Sequence, residues 1–187
     1  MRAICYVSAG SWEDWRPDAG AYPESVKGHS NGWPGEKWLD IRRTDVLLPI
    51  IDARLAACAA AGFDGVELDN VDGYTNGTGF PLTASQQVVF NRSIADLAHD
   101  HGLSVALKND VEQLVQLLPW FDYAVNEQCQ QYSECGGYDL WIGEGRAVFQ
   151  IEYSAGLSAT CNAANAAGRS AIRKSLDLRA LPWTPCD

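Results

Sequence analysis

Short apolar runs that end in polar groups recur along this chain with helix-like segments between them, and that alternation restricts the fold more than any other feature. The runs cover residues 3–7, 63–69, 103–107, 121–125 and 147–151. Each is followed by chemistry-bearing side chains: Asn70 and Asp72 after the second, Lys108, Asn109 and Asp110 after the third, Asn126 and Glu127 after the fourth, Glu152 and Tyr153 after the fifth. Residues 46–61, 83–101 and 111–118 read as the intervening helices, the second opening at a Thr83 N-cap. Strands alternating with helices predict βα units and a parallel sheet.

Side-chain alternation separates a barrel from an open sheet. Leu103, Val105 and Leu107 share one face, and Ser104, Ala106 and Lys108 the other; Phe149 and Ile151 oppose Gln150 and Glu152. A barrel strand packs its bulky apolar face on helices and turns small or polar residues toward the lumen. A strand buried on both sides of an open sheet is more uniformly apolar. No glycine-rich phosphate loop follows any run. The expectation is therefore an α/β chain of the (β/α)₈ TIM-barrel type, with polar groups gathered at the C-terminal strand ends, in one domain spanning 1–187.

The densest of these ends is residues 63–74, which carry Glu67, Asp69 and Asp72. In an extended segment Glu67 and Asp69 lie on the same face as Gly65. Two carboxylates so placed repel each other and are costly to bury, so a strand that only filled a core would not carry them. A solvated strand end and a structural calcium site are the competing readings.

Length and cysteines bear on completeness and compartment. A full (β/α)₈ barrel takes roughly 200 to 250 residues, more than the 187 present. No secretory signal precedes the first run and no apolar stretch is long enough to span a membrane, so an upstream region bearing a signal and two further strands is expected. Six cysteines point to disulfides and an oxidising compartment. Spacing favours Cys129 with Cys135 and Cys161 with Cys186, leaving Cys5 with Cys58. Asn76 and Asn91 begin acceptor-type sequons. The tail from Ala180 reads as irregular.

A formal charge of −10 argues against nucleic acid and anionic membranes and favours a neutral or cationic partner. Seven tryptophans are many for this length; Trp12, Trp15, Trp33 and Trp38 fall in the loops after the first run, beside Arg16 and Asp40. Indole faces stack on sugars or attract cations, and such neighbouring side chains read hydroxyls.

The segments 5–18, 35–42, 62–74, 107–110, 125–129 and 152–153 together closely resemble the endo-α-1,4-polygalactosaminidases, glycoside hydrolase family 114. The likeness extends from Ile4 to about Leu178. It implies a secreted barrel that cleaves α-1,4-linked galactosamine-rich polysaccharide, with residues 4–7 standing as the third barrel strand. This chain would then supply strands three to eight. Leu68 stands where the family commonly has proline.

The resemblance further implies that Asp69 and Glu127 are the catalytic carboxylates, at the ends of the fourth and sixth strands. Glycoside hydrolysis needs one carboxyl to protonate the leaving oxygen and another to attack the anomeric carbon or activate water, with no metal or other cofactor. Asp69 is read as nucleophile or base and Glu127 as acid, with the reverse assignment left open, and retention of configuration is expected. Glu67, Asp72 and Glu152 are expected around a cationic amino sugar, Lys108 and Asn109 as orienting groups, and Tyr6, Asn70, Tyr74, Asn126, Trp12, Trp15, Arg16, Trp38 and Asp40 as further substrate contacts. The alternative is a carbohydrate-binding protein that keeps the groove without cleaving.

Overall fold

The computed structural model of the protein describes residues 2–186. In chain order its strands are β1 (Ile4–Ser8), β2 (Ser11–Glu13), β3 (Lys27–Ser30), β4 (Glu36–Leu39), β5 (Gly65–Asp69), β6 (Ser104–Lys108), β7 (Tyr123–Glu127), β8 (Val148–Glu152), β9 (Ser170–Lys174) and β10 (Trp183–Pro185). The α-helices are α1 (Thr44–Ala60), α2 (Ala84–Asp100), α3 (Leu114–Leu117), α4 (Cys129–Tyr132), α5 (Asp139–Gly143) and α6 (Leu157–Ala167). The main sheet runs β1-β5-β6-β7-β8-β9-β10, and its first six strands are parallel. This is the TIM-barrel type with six βα strands, as expected. The sheet stays open, because among the described residues β1 has β5 as its only strand neighbour.

Helix packing follows from the sequence. In α1, Leu47, Ile51, Leu55 and Cys58 are buried at spacings of four, four and three, a stripe that covers the outer face of β1 and β5. A capping box starts α2: the Gln86 amide donates to Thr83 Oγ1 and the Thr83 amide returns to Gln86 Oε1. Val66, Leu68, Val105, Leu107 and Ala124 join these helices in the main core. Ala106, Tyr123 and Val125 form a second, small cluster with Ile151 on the other face of the sheet, the lumen.

The strand faces correct one expectation. β6 behaves as read, with Lys108 turned to the lumen and Val105 and Leu107 to the helices. β8 is reversed: Phe149 meets Tyr123 edge to face at 5.9 Å, while Gln150 and Glu152 are buried toward the helices. Polarity misled here because the helix side supplies partners. Gln150 Oε1 accepts from Arg169, and Glu152 Oε1 accepts from the Gln130 amide at 2.7 Å.

Three further segments depart from the sequence reading. The stretch between β1 and α1 is not only loop but holds the antiparallel sheet β2-β4-β3. The tail pairs as β10 against β9, tied by Cys161–Cys186. Asn91 is fully buried, donating to Val71 O and Asp110 Oδ2, so its sequon cannot accept a glycan. The disulfides are Cys5–Cys58, Cys129–Cys135 and Cys161–Cys186, as expected.

Candidate active site

The C-terminal ends of β5, β6 and β7 each launch one charged group into the lumen and then turn sharply. Asn70, Asn109 and Gln128, the residues that follow, have φ of 60°, 52° and 69°, in the left-handed region. Such a turn ends the strand immediately after the functional side chain. Each is held by hydrogen bonds: Asn70 Nδ2 donates to Ser8 and Ser11 Oγ, the Asn109 amide to Val125 O, and the Gln128 amide to Ile151 O. The Ala9 and Gly10 amides both donate to Asp69 O. A Cβ on Gly10 would lie 1.7 Å from Asn70 O, so only glycine fits this approach.

Lys108 sits at the centre. Its ammonium is 3.2 Å from Asp69 Oδ1, 3.1 Å from Glu127 Oε2 and 4.0 Å from Glu67 Oε1. The other oxygen of each main carboxylate is also engaged: the Tyr6 hydroxyl donates to Asp69 Oδ2 at 2.8 Å, and the Tyr153 hydroxyl donates to Glu127 Oε1. Asn109 Oδ1 accepts from the Glu127 amide, fixing that strand end from the neighbouring strand. Asp69 and Glu127 thus face each other across one lysine, flanked by two phenols.

Charge and burial set the local protonation. Burial alone would lower the Lys108 ammonium, but Asp69, Glu127 and Glu67 outweigh it and raise it well above its ordinary value. Burial pushes Glu67 up to about 7, helped by the charges of Asp69 and Glu127 and opposed by Lys108. Burial and the Asp69 charge carry Asp72 to about 6. Both Tyr6 and Tyr153 are raised by burial and by the carboxylates they contact, so they remain donors.

Cavities extend from this centre. One of about 490 Å³ is walled by Tyr6, Trp33, Glu67, Asp69, Glu127 and Tyr153. A second, of about 200 Å³, shares Asn70 with it and adds Trp38, Asp72 and Asn109. Tyr74 lines a third with Asp72 and Glu127. Of the residues expected at the site, Tyr6, Glu67, Asp69, Asn70, Asp72, Tyr74, Trp38, Lys108, Asn109 and Glu127 line this connected set.

The others are occupied elsewhere. Glu152 is buried behind β8, and Asn126 spans Tyr138 and the Cys129 amide. Arg42 holds Asp40 through two contacts, and Glu13 holds Arg16 in the same way. Trp12 carries the Lys27 ammonium 4.2 Å above its ring, and Trp15 is exposed away from these cavities. Glu67, Asp69 and Asp72 do not converge on one ion. Among the described residues, the only His, Cys, Asp or Glu group whose ligand atoms gather within 4.8 Å is Cys129, Cys135 and Glu152, whose cysteines are disulfide-bonded.

Trp33 and Tyr153, noted in the sequence but left out of the expected contacts, are wall residues, and Glu36, Ile151 and Ile172 line the same cavity unforeseen. Tyr153 continues the lumen face of Phe149 and Ile151, so the correct parity of β8 selects it in place of Glu152. Trp33 lies in the loop before β4, where no periodicity fixes its direction.

No curated protein matches the chain. Among solved structures it is similar to Ega3 from Aspergillus fumigatus, determined in complex with galactosamine, at 38% identity over 100% of this chain and 79% of that one, with a TM-score of 0.93. The glycoside hydrolase domain of PelA from Pseudomonas aeruginosa shares the fold, at 15% identity over 97% of this chain and 81% of that one, with a TM-score of 0.69. The glycoside-hydrolase family GH114 model matches residues 1–186, and the chain belongs to that family.

Proposed function

We propose that the protein is a secreted glycoside hydrolase that cleaves α-1,4-galactosaminidic bonds in galactosamine-rich polysaccharide, with Asp69 and Glu127 as the catalytic carboxylates. The observation that carries this reading is the shared contact of both carboxylates with Lys108 at the mouth of the lumen. The galactosamine seen in Ega3 supports the substrate class, and the acidic charge of −10 suits a polycationic chain. Three disulfides favour an oxidising compartment.

Because one lysine nitrogen touches both, the two contacting oxygens are at most about 6.3 Å apart, which falls short of the ~6.5 to 9.5 Å of inverting enzymes and admits the ~5 to 5.5 Å of retaining ones. Asp69 attacks the anomeric carbon as Glu127 protonates the leaving glycosidic oxygen. Glu127 then takes a proton from the water that displaces Asp69 from the sugar, restoring both groups. Glu127 suits the proton-transfer role because it borders every cavity of the cleft, where leaving group and water must pass. Lys108 and Tyr6 each hold one oxygen of the nucleophile, which fixes its orientation toward the sugar. Tyr6, Trp33 and Trp38 offer ring surfaces for sugars.

The test is release of reducing ends from de-N-acetylated galactosaminogalactan by the protein and its folded Asp69→Asn variant. Activity in the former and none in the latter is expected. Binding without cleavage by the unsubstituted protein would instead assign it as a carbohydrate-binding relative.

A further inference from the structure

We propose that Asn76 is an N-glycosylation site whose glycan stands at the rim of the cleft and hinders a polysaccharide chain from entering on that side. The inference goes beyond the galactosaminidase reading and rests on two parts of it, secretion and a polysaccharide in the cleft. Asn76, Gly77 and Thr78 form an acceptor sequon, a motif that marks a surface loop when it is used. Asn76 is exposed, whereas Asn91, which opens the other sequon, is fully buried in α2.

The backbone around Asn76 is held on both sides. The Asn76 amide donates to Gly73 O at 3.0 Å, and the Thr78 amide donates to Asn76 O at 2.9 Å. From β3, the His29 amide donates to Thr78 O at 2.8 Å, and His29 Nδ1 lies 3.1 Å from Gly77 O. Asn76 itself is extended, with φ −115° and ψ 160°. It borders the cavity of about 200 Å³ together with Trp33, Trp38, Asp69, Asp72 and Glu127. A glycan grown from this side chain therefore begins beside the catalytic carboxylates rather than on a remote face.

The chemistry needs little from the fold. Asn76 Nδ2 takes the anomeric carbon of a lipid-pyrophosphate-linked oligosaccharide: one N–H bond breaks, an N–C bond forms, the bond from that carbon to the pyrophosphate oxygen breaks, and the lipid pyrophosphate leaves as the proton passes to solvent. Before transfer, Nδ2 donates to Asp72 O and to Thr75 Oγ1, each at 3.1 Å. One N–H remains afterwards and can keep the Asp72 O contact. The contact given up is exposed, and Thr75 Oγ1 already donates to Asp72 O, so its loss leaves no buried group unpaired. The bulky, hydrated glycan narrows the approach over Trp38, while a short oligomer still reaches Asp69 and Glu127 through the larger cavity beside Tyr6 and Tyr153.

Peptide mapping of the full chain secreted from a glycosylating eukaryotic host, with the glycans released by a peptide amidase in heavy-oxygen water, tests occupancy. Isotope-labelled aspartate at position 76 and unmodified Asn91 are expected. Intact asparagine at position 76, or unlabelled aspartate from spontaneous deamidation of Asn76-Gly77, would overturn the site. Titration with de-N-acetylated galactosaminogalactan and with short galactosamine oligomers then compares the glycosylated protein, its Asn76→Gln variant, and the protein trimmed to a single sugar by an endoglycosidase. The polymer should bind about threefold more tightly to the variant and to the trimmed protein, and the short oligomers equally to every form. Equal polymer affinity throughout would overturn the hindrance. A glycosylated protein that binds neither ligand would remove the polysaccharide reading and the hindrance with it, while the glycan stays assigned.

Discussion

The Tyr6 hydroxyl reaches across from β1 to donate to Asp69 Oδ2 at 2.8 Å, although Tyr6 pairs in register with Glu67. A mirror contact joins Tyr153 to Glu127 on the far side of Lys108. Each carboxylate therefore has one oxygen on a phenol and one on the ammonium, which fixes its rotamer before substrate arrives.

Removal of either phenol should loosen one carboxylate without unfolding the sheet. Tyr6→Phe and Tyr153→Phe are each expected to lower kcat by about tenfold, the worth of one charge-assisted hydrogen bond. Steady-state kinetics on the oligomeric substrate measures this, and a change confined to KM would argue against a positioning role.

Lys108→Met leaves Glu67, Asp69 and Glu127 facing one another without a counter-charge. Breaking a buried ion cluster by removing one partner costs about 3 to 5 kcal/mol. Urea denaturation at pH 7 should detect that loss, and acid should recover part of it as the carboxylates take up protons. Equal losses at pH 5 and pH 7 would contradict the electrostatic account.

Stability should fall as pH rises from about 4 to about 8. Asp72, Glu67 and Asp110 have folded-state values raised to about 6, about 7 and about 8, so the folded protein holds protons that the unfolded chain has already released. Asp18 and Asp40, lowered chiefly by hydrogen bonds from Arg54 and Arg42, act in the opposite sense and lose their contribution at more acid pH. Melting temperature should therefore peak in the mildly acidic range, and Asp110→Asn should flatten the alkaline decline. A melting temperature that climbs steadily to pH 8 would refute this assignment.

Trp33 is half-exposed and borders two of the cleft cavities, whereas Trp15 borders none of them. Trp33→Ala should raise KM for the polysaccharide by about tenfold, within the 1 to 3 kcal/mol range of aromatic stacking, while Trp15→Ala leaves it unchanged. Equal effects from the two substitutions would place the substrate elsewhere.

Cys5–Cys58 closes a loop of 53 residues between β1 and α1, and its loss should cost about 4 kcal/mol. Cys129–Cys135 closes only 6 and should cost about 2 kcal/mol. Thermal melts of the paired serine variants compare them; the second should also disturb catalysis, since it anchors the loop that follows Glu127.

Much of this was legible in the residues because strand period and polar termination are local properties. Strands β5, β6 and β7 end at Asp69, Lys108 and Glu127, and positive φ at the next residue makes those ends functional. β8 was not legible in the same way. Gln150 and Glu152 look like lumen residues until the helix side provides Arg169 and the Gln130 amide as partners.

By itself the sequence determined the alternation of strands and helices and the acids at strand ends, since each depends on spacing along the chain; for the disulfides it favoured pairs that the fold then joined. Tertiary structure alone decided that Lys108 joins Asp69 to Glu127, that Tyr153 rather than Glu152 faces the cleft, and that Asp110 is buried beside it without a partner for Oδ1. Those outcomes depend on the direction of side chains from different strands, which packing sets and no single segment encodes.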